Sequence, residues 1–528
     1  MPQSNMTHQF SQTPKVETQR SSFDRTHQHK TTFDAGKLIP FYVDEVLPGD
    51  SFNVNTTLFG RLATPLHPIM DNMFLDTHYF YVPNRLLWDN FKKFMGEQDN
   101  PTDSVDYLVP QLVDNNSTGF SEGGIEDYMG LPIASQATGL SVSALWHRAY
   151  NLIWNEWFRD QNLQDSVTVN KGDGPDNLSD NHYSLLRRGK RHDYFTSTLP
   201  WPQKGPGVEL PLGTSAPVVS NDATIRFKNS QTEGELGSYG SLGGGMFRTY
   251  GFTSGTIRST QFGSETGLTA DLSGATASTI NSLRQAFQLQ RLAEKDARGG
   301  TRYTEIVRSH FNVTSPDARL QRPEFLGGST SRVQVQPVAV TAGGFNVGST
   351  NPGQLGALGT VASNNDGFTK SFTEHGIVIG LVSARADLTY QSGVNRMFSR
   401  RTKYDFYWPT LAHLGEQEVK NKEIFAQGTS ADEGTFGYQE RWSEYRYGIS
   451  KITSKFRSDA SASLDTWHLS QDFANLPLLN ETFIEDNPPI TRAIAVQNEP
   501  HFILDAYINC KTARPMPTYS VPGLIDHF

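Results

Sequence analysis

Apolar positions along this chain gather into short runs of β character, separated by long polar stretches. LIPFYVDEV, SFNVNTTLFG and MFLDTHYFYV, between Leu38 and Val82, concentrate Phe, Tyr, Val and Thr, and Pro48-Gly49, Pro65 and Pro68 bound them. That pattern predicts strands ended by turns. Three later runs predict strands as well: GIVIGLVSARADLTY at 376–390, YRYGISKITSKF at 445–456 and HFILDAYINC at 501–510. Their separation makes sheet partners distant in the chain, the expectation for a β-sandwich whose loops have grown.

Three helices are expected. Asn84 is placed to cap LLWDNFKKFM, which ends at Gly96. Ser141 opens a second, in which Val142, Leu145, Trp146, Ala149, Ile153 and Trp157 form one apolar stripe, read as packing rather than a cofactor box. The third runs from Ile280 to Arg298, with Ile280, Leu283 and Phe287 on one side and Gly299-Gly300 as its stop.

Other stretches lack either periodicity. Residues 1–40 are polar, and their five cations against three acids give +2, a composition expected of a flexible basic arm. Between 213 and 279, 12 Gly and 21 Ser or Thr fill about half of 67 residues, which reads as a surface insertion. Gly327 to Gly367 reads as another long loop. The expected organisation is therefore an arm at 1–40, a β core with long inter-strand loops at 41–212 and 280–528, and an insertion at 213–279.

Composition narrows the class. No apolar run approaches the ~18 residues of a membrane span; the longest, Gly376 to Val382, has seven. Membrane insertion is thus not expected, and the N-terminus shows no apolar secretory segment. The lone Cys510 excludes an internal disulfide and reads as a small buried hydrophobe. Searches for nucleophile elbows, zinc-protease, CxxC, phosphate-loop and dinucleotide motifs find none. His27 and His29 lack acidic or cysteine partners nearby in the chain. Glu374-His375 reads as a strand-end pair before an acid/base pair, His78 as a core or interface histidine, and Glu485-Asp486 as a carboxylate pair that sequence cannot position. No enzyme, cofactor or metal is expected.

The formal charge is −9, yet cations cluster. Arg187, Arg188, Lys190 and Arg191 put four within five positions, followed by Tyr194 and Phe195. Arg396, Arg400, Arg401 and Lys403 interleave with Phe398, Tyr404, Phe406 and Tyr407. Lys15, Arg20, Arg25 and Lys30 recur every fifth residue of the arm. Basic residues with aromatics between them suit single-stranded nucleic acid. An inter-subunit salt-bridge patch or a solvated face fits them equally.

Long blocks then become recognisable. FLDTHYFYVPNRLLWDNFKKFMGE (74–97), INSLRQAFQLQRLAEKDARGGTRYTEIVRSHFNVTSPDARLQRPEFLGG (280–328), FTEHGIVIGLVSARADLTYQSGVNRMFSRRTKYDFYWP (372–409) and FIEDNPP (483–489) resemble the major capsid proteins of gokushoviruses, small tailless bacteriophages of the microvirus family. The resemblance covers most of 35–528 and weakens at 213–279. It implies a mainly β, eight-stranded viral jelly roll. Sixty copies would form a T = 1 icosahedral shell, with two-, three- and five-fold contacts, around circular single-stranded DNA. It further implies that the 213–279 insertion rises at the three-fold axes toward a host surface receptor. The protein would reside in the virion, and in the host bacterial cytoplasm during assembly. Whether a small basic internal viral protein shares the DNA is left open. The alternatives are a β-sandwich carbohydrate-active enzyme or a trimeric phage receptor-binding protein.

Overall fold

The computed structural model describes residues 19–114, 119–178, 183–208, 280–312, 321–339 and 355–519, with five short strands between 218 and 270. Two compact units result, Met1–Pro202 with Asn312–Phe528, and Gln203–Phe311.

The first unit is built on a curled antiparallel sheet of ten strands. In chain order these are β1 (Ser21–Asp24), β2 (His27–Phe33), β3 (Ile39–Val46), β4 (Ser51–Leu62), β5 (Met73–Pro83), β6 (Glu324–Gly327), β7 (Thr330–Ala339), β8 (Leu355–Ser371), β9 (Gly376–Ala386) and β10 (Phe502–Arg514). Neighbours run β1–β10–β4–β8–β7–β5–β9–β3, with β2 also on β10 and β6 on β5. The curl comes from β7. Its first half pairs Thr330–Val333 with Met73–Asp76 of β5, and its second pairs Gln334–Ala339 with Leu355–Thr360 of β8. One strand thus serves both halves of the sheet, which face each other across a shared core, as in a jelly-roll barrel.

Side-chain alternation fixes which face turns inward. β4 and β10 bury every second residue; Phe52, Val54, Leu58 and Leu62 meet Leu504, Ala506, Ile508 and Cys510 in the core, while Phe59 and Ile503 face outward. β9 is buried at all eleven positions because both its faces are covered. Val378 and Val382 point into the barrel, and Ile377, Ile379 and Leu381 pack under a helix, α1 (Leu145–Ile153), against Ala149, Tyr150 and Ile153. Its unbroken apolar run reflects that double burial.

Several elements differ from their sequence expectation. Residues 21–33 are not an arm: β1 and β2 lie along β10, and Phe33 stacks on Phe502 with ring centroids 5.4 Å apart. An edge strand needs few apolar residues, since one neighbour and one inward face satisfy it. Gly327–Gly367 is not one long loop either; it contains β7 and most of β8, and 340–354 lie outside the described residues. Glycine serves close approach there, because a Cβ on Gly367 would lie 2.0 Å from the Val54 carbonyl oxygen. The run at 445–456 forms only short 3-10 turns. Asn84 caps nothing with its side chain, and the segment after it makes a 3-10 turn and one α turn, ending at Gly96 with φ +100°. α1 starts at Leu145 rather than Ser141, whose strand pairs with Gln111–Val113. It then runs into a π turn, Trp154–Phe158.

The second unit contains two helices, α2 (Ile280–Arg298) and α3 (Tyr303–Phe311). Gly300, at φ +88°, ends the turn between them, and His310 Nε2 lies 2.7 Å from Asp296 Oδ1. Phe287 and Leu292 of α2 are exposed. The rest of its described structure is small: Arg226–Lys228 between Glu233–Glu235 and Gln261–Phe262, and Val218–Ser220 on Leu268–Ala270. Most of 213–279 lies outside the described residues.

Candidate functional site

The cations singled out in the sequence do not form one patch. Lys15 lies outside the described residues. Arg20, exposed, donates to Ser51 Oγ at 2.6 Å, and Arg25 Nη2 pairs with Asp44 Oδ1 at 2.7 Å. Lys30 is exposed, 3.8 Å from Asp505 Oδ1. In the second cluster Arg188 Nη1 and Arg385 Nε both donate to Asp76 Oδ2 at 2.6 Å. Burial pushes that carboxyl up, but the Arg385 hydrogen bond and the Arg188 charge outweigh it and leave the pKa lowered. Arg187 donates to the carbonyl oxygens of Asp486 and Ala35, at 3.3 and 3.4 Å.

Lys190 is buried. Its Nζ donates to Gln471 Oε1 at 2.9 Å and stands 4.3 Å from the Phe483 ring centroid, and burial pushes its ammonium down to about 8. Burial also lifts the neighbouring Asp486 carboxyl to about 6 despite the Arg188 and Lys190 charges. Of these four cations, only Arg191 is exposed. Adjacent positions along the chain therefore point to different places, and the hydrogen-bond partners of Arg187, Arg188 and Lys190 lie more than a hundred residues away.

The third cluster is likewise held from within. Arg396 Nη1 pairs with Glu423 Oε1 at 2.9 Å and Arg400 Nη2 with Glu444 Oε1 at 3.3 Å, while Arg401 is exposed. These cations line a cavity of about 390 Å³ together with Lys420, Lys422 and Glu433. Both charge signs line it, so it does not select an anion by field alone.

What this region displays is aromatic. Phe398 is 74% exposed, Tyr404 59%, Phe406 51% and Trp408 50%, on a segment of 3-10 turns rather than a mobile coil. Thr402 and Asp405 cap one turn reciprocally. Trp408 Nε1 donates to the Lys403 carbonyl at 2.8 Å, and Trp442 Nε1 to that of Leu411 at 2.9 Å. Tyr407 meets the Trp442 ring edge-on at 5.7 Å, and the Arg400 guanidinium lies 4.3 Å over Tyr445. Trp442 holds φ +69°, a left-handed conformation costly for a bulky residue and sustained by these contacts. The shelf is therefore ordered before anything covers it. Trp442 and Tyr445 belong to it although the sequence placed them in or beside a strand run; their spacing carried no sign of the contact.

The other chemical candidates separate. Arg85 Nε takes Glu374 Oε2 at 2.7 Å, while His375 packs against Phe91, so the two do not act as an acid/base pair. His27 stacks on Tyr42 at 5.9 Å. Cys510 is buried in the barrel core. Among the described residues no group of three or more His, Cys, Asp or Glu is placed to hold a metal ion, and no helix is long and apolar enough to cross a membrane.

Comparison with known proteins adds what geometry alone does not. Residues 11–524 match the family described as Capsid protein (F protein). Three relatives called Capsid protein VP1 align along nearly their whole length. The chain is 48% identical to that of Bdellovibrio phage phiMH2K, over 99% of this chain and 98% of the relative. It is 44% identical to that of Chlamydia phage 1, over 98% of each. It is 36% identical to that of Spiroplasma virus 4, over 98% and 97%.

Proposed function

The chain belongs to the phage capsid F-protein family, and from that premise we propose that sixty copies close into a T = 1 icosahedral shell around circular single-stranded DNA. Membership makes it a structural, non-enzymatic protein and a virion component that assembles into an oligomeric shell. The observation that carries the assembly reading is the shelf around Phe398 and Trp408. Large rings held rigid and left in water are what an interface hot spot requires, and neighbouring subunits are the partners available to every copy. A closed shell needs different contacts at its two-, three- and five-fold axes from one chain, and long loops supply them without disturbing the barrel.

Contact with DNA falls to the exposed cations Arg20, Lys30, Arg191 and Arg401, because Arg188, Lys190, Arg396 and Arg400 are engaged inside the subunit. Non-specific, salt-dependent neutralisation of phosphate needs no more than that. A small basic internal protein would share the charge where these are too few. Host attachment is assigned to the 213–279 insertion, with assembly in the host cytoplasm. The test is mass photometry and negative-stain microscopy of the purified protein under assembly conditions. Closed particles of about 3.5 MDa, sixty times 58.8 kDa, are expected. Persistent monomers or trimers that never close, or particles of another copy number, would overturn the sixty-copy reading.

A further inference from the structure

A second recess lies away from the shelf, where β5, β6, the π turn after α1 and residues 188–192 meet. It encloses about 400 Å³, within the range of small-ligand pockets. Its walls are rings: Phe80 lies 5.5 Å from Trp157, 5.8 Å from Phe158 and 5.5 Å from Phe325, and Trp157 lies 5.9 Å from Phe325. Trp157 and Phe325 stand at its mouth, 40% and 43% exposed. The π turn sets Trp157 there, since the Arg159 amide donates back to the Trp154 carbonyl at 2.9 Å and so carries Trp157 off the buried stripe of α1. The indole is fixed by its Nε1 donating to the Pro323 carbonyl at 3.0 Å.

The recess is not simply greasy. His78, 5.3 Å from Phe158, lines it, and its Nε2 is shut away from solvent without a hydrogen-bond partner. Arg159 Nε is in the same state. Burial pushes His78 down to about 4, so the ring is neutral at physiological pH, with one donor and one acceptor nitrogen. Arg159 and His192 also line the recess, beside Arg188 and Lys190, which Asp76 and Gln471 already hold, and Arg322 lies 5.2 Å over the Trp157 ring. Its one carboxylate, Asp160, already accepts the amides of Asn162 and Leu163 at 2.9 and 3.1 Å. A fitting occupant brings a flat apolar face, a polar edge and negative charge together. A nucleotide has all three, whereas an apolar peptide side chain has only the first.

We propose that this recess takes one unstacked base of the enclosed single strand, laid against the exposed surface of Trp157 and Phe325, with its edge toward His78 and its phosphate toward Arg159 and Arg322. The proposal rests on the reading that the shell packages single-stranded DNA. Each base so held would tie one point of the strand to one subunit, independent of sequence.

The test uses the purified full chain with a fluorescent ten-residue oligothymidylate for affinity, and the same oligomer carrying 5-iodouracil for photo-crosslinking. Crosslinks at Trp157 or Phe325 are expected. Trp157→Ala should bind about tenfold more weakly, while Trp157→Phe, which keeps the stacking face, and Leu108→Ala, on an exposed site elsewhere, should bind as wild type. Equal binding by wild type and W157A, with crosslinks confined to Lys30, Arg191 or Arg401, would overturn the recess and leave DNA contact standing. No binding by any form, together with particles empty of DNA, would overturn the packaging reading itself. A neighbouring subunit's side chain filling the recess in a particle reconstruction would show it to be a protein contact and overturn the proposal.

Discussion

Asp76 and Asp486 stand close to the same arginine and titrate in opposite senses. Asp76 carries two guanidiniums at 2.6 Å and its pKa is lowered, so its contribution to stability is present above the unfolded carboxylate range and is lost as pH falls through the folded value. Asp76→Ala would strand Arg188 and Arg385 in the interior. A loss of about 3–5 kcal/mol is expected, read as a large drop in melting temperature at pH 7. Asp486 has a buried Oδ1 without a partner, and burial lifts its carboxyl from 3.8 to about 6. Its folded form holds the proton more tightly than the unfolded chain, so stability declines as pH climbs from about 4 to about 6 and the penalty then stays constant. Two units correspond to about 3 kcal/mol. Asp486→Asn should therefore melt above wild type at pH 8 and together with it at pH 3.5. Coincident melting at both pH values would show the buried charge to be harmless.

At the scale of elements, legibility followed burial pattern. β3, β4, β5, β9 and β10 were readable because each is eight or more residues long and either alternates in burial or concentrates Phe, Tyr, Val, Ile and Leu. β8 was hidden by its own function: glycines that admit the Val54 carbonyl and Leu62 look like loop residues in one dimension. Gly367→Ala tests that account. Because its Cβ would meet backbone rather than a yielding side chain, a loss of about 3 kcal/mol is expected, with β4 and β8 amides exchanging faster. Normal stability would mean that the strands part without penalty. The converse error came at 445–456, where Tyr and Ile follow one another without a sheet neighbour to satisfy their backbone, and β1 and β2 were missed because an edge strand such as HQHKTTF is mostly polar. Of the candidate surfaces, the basic residues were visible in the sequence, but which of them face outward was not. Asp76 lies 112 residues from Arg188, and no local pattern encodes that pairing.

For the whole molecule, the exposed rings and cations separate two properties that a loss of infectivity would merge. Phe398→Ala with Trp408→Ala removes two rings that the isolated subunit leaves 74% and 50% exposed. The double variant should melt within about 2 kcal/mol of wild type, the lost Trp408 hydrogen bond and half-buried ring included, yet fail to form shells at concentrations where wild type closes. Unimpaired closure would remove the shelf from the assembly contacts. Arg191→Ala with Arg401→Ala should do the reverse. Shells form, but they retain less DNA as salt is raised, and the salt dependence of oligonucleotide binding falls by roughly 0.7 per lost phosphate contact. Full genome content in salt-washed particles would assign the DNA contact to other residues.

The position of β10 bears on the timing of synthesis. It lies between β4 on one side and β1 and β2 on the other, yet it is the last strand of the sheet to be made, after more than four hundred residues have followed β4. Until residue 514 has left the ribosome, β2 and β4 flank an open slot and the barrel has no finished wall. Such long-range closure is slow, and the open edges are sticky while it waits. A chain cut short in translation would lack the strand that completes the barrel, and its β2 and β4 edges would stay unpaired.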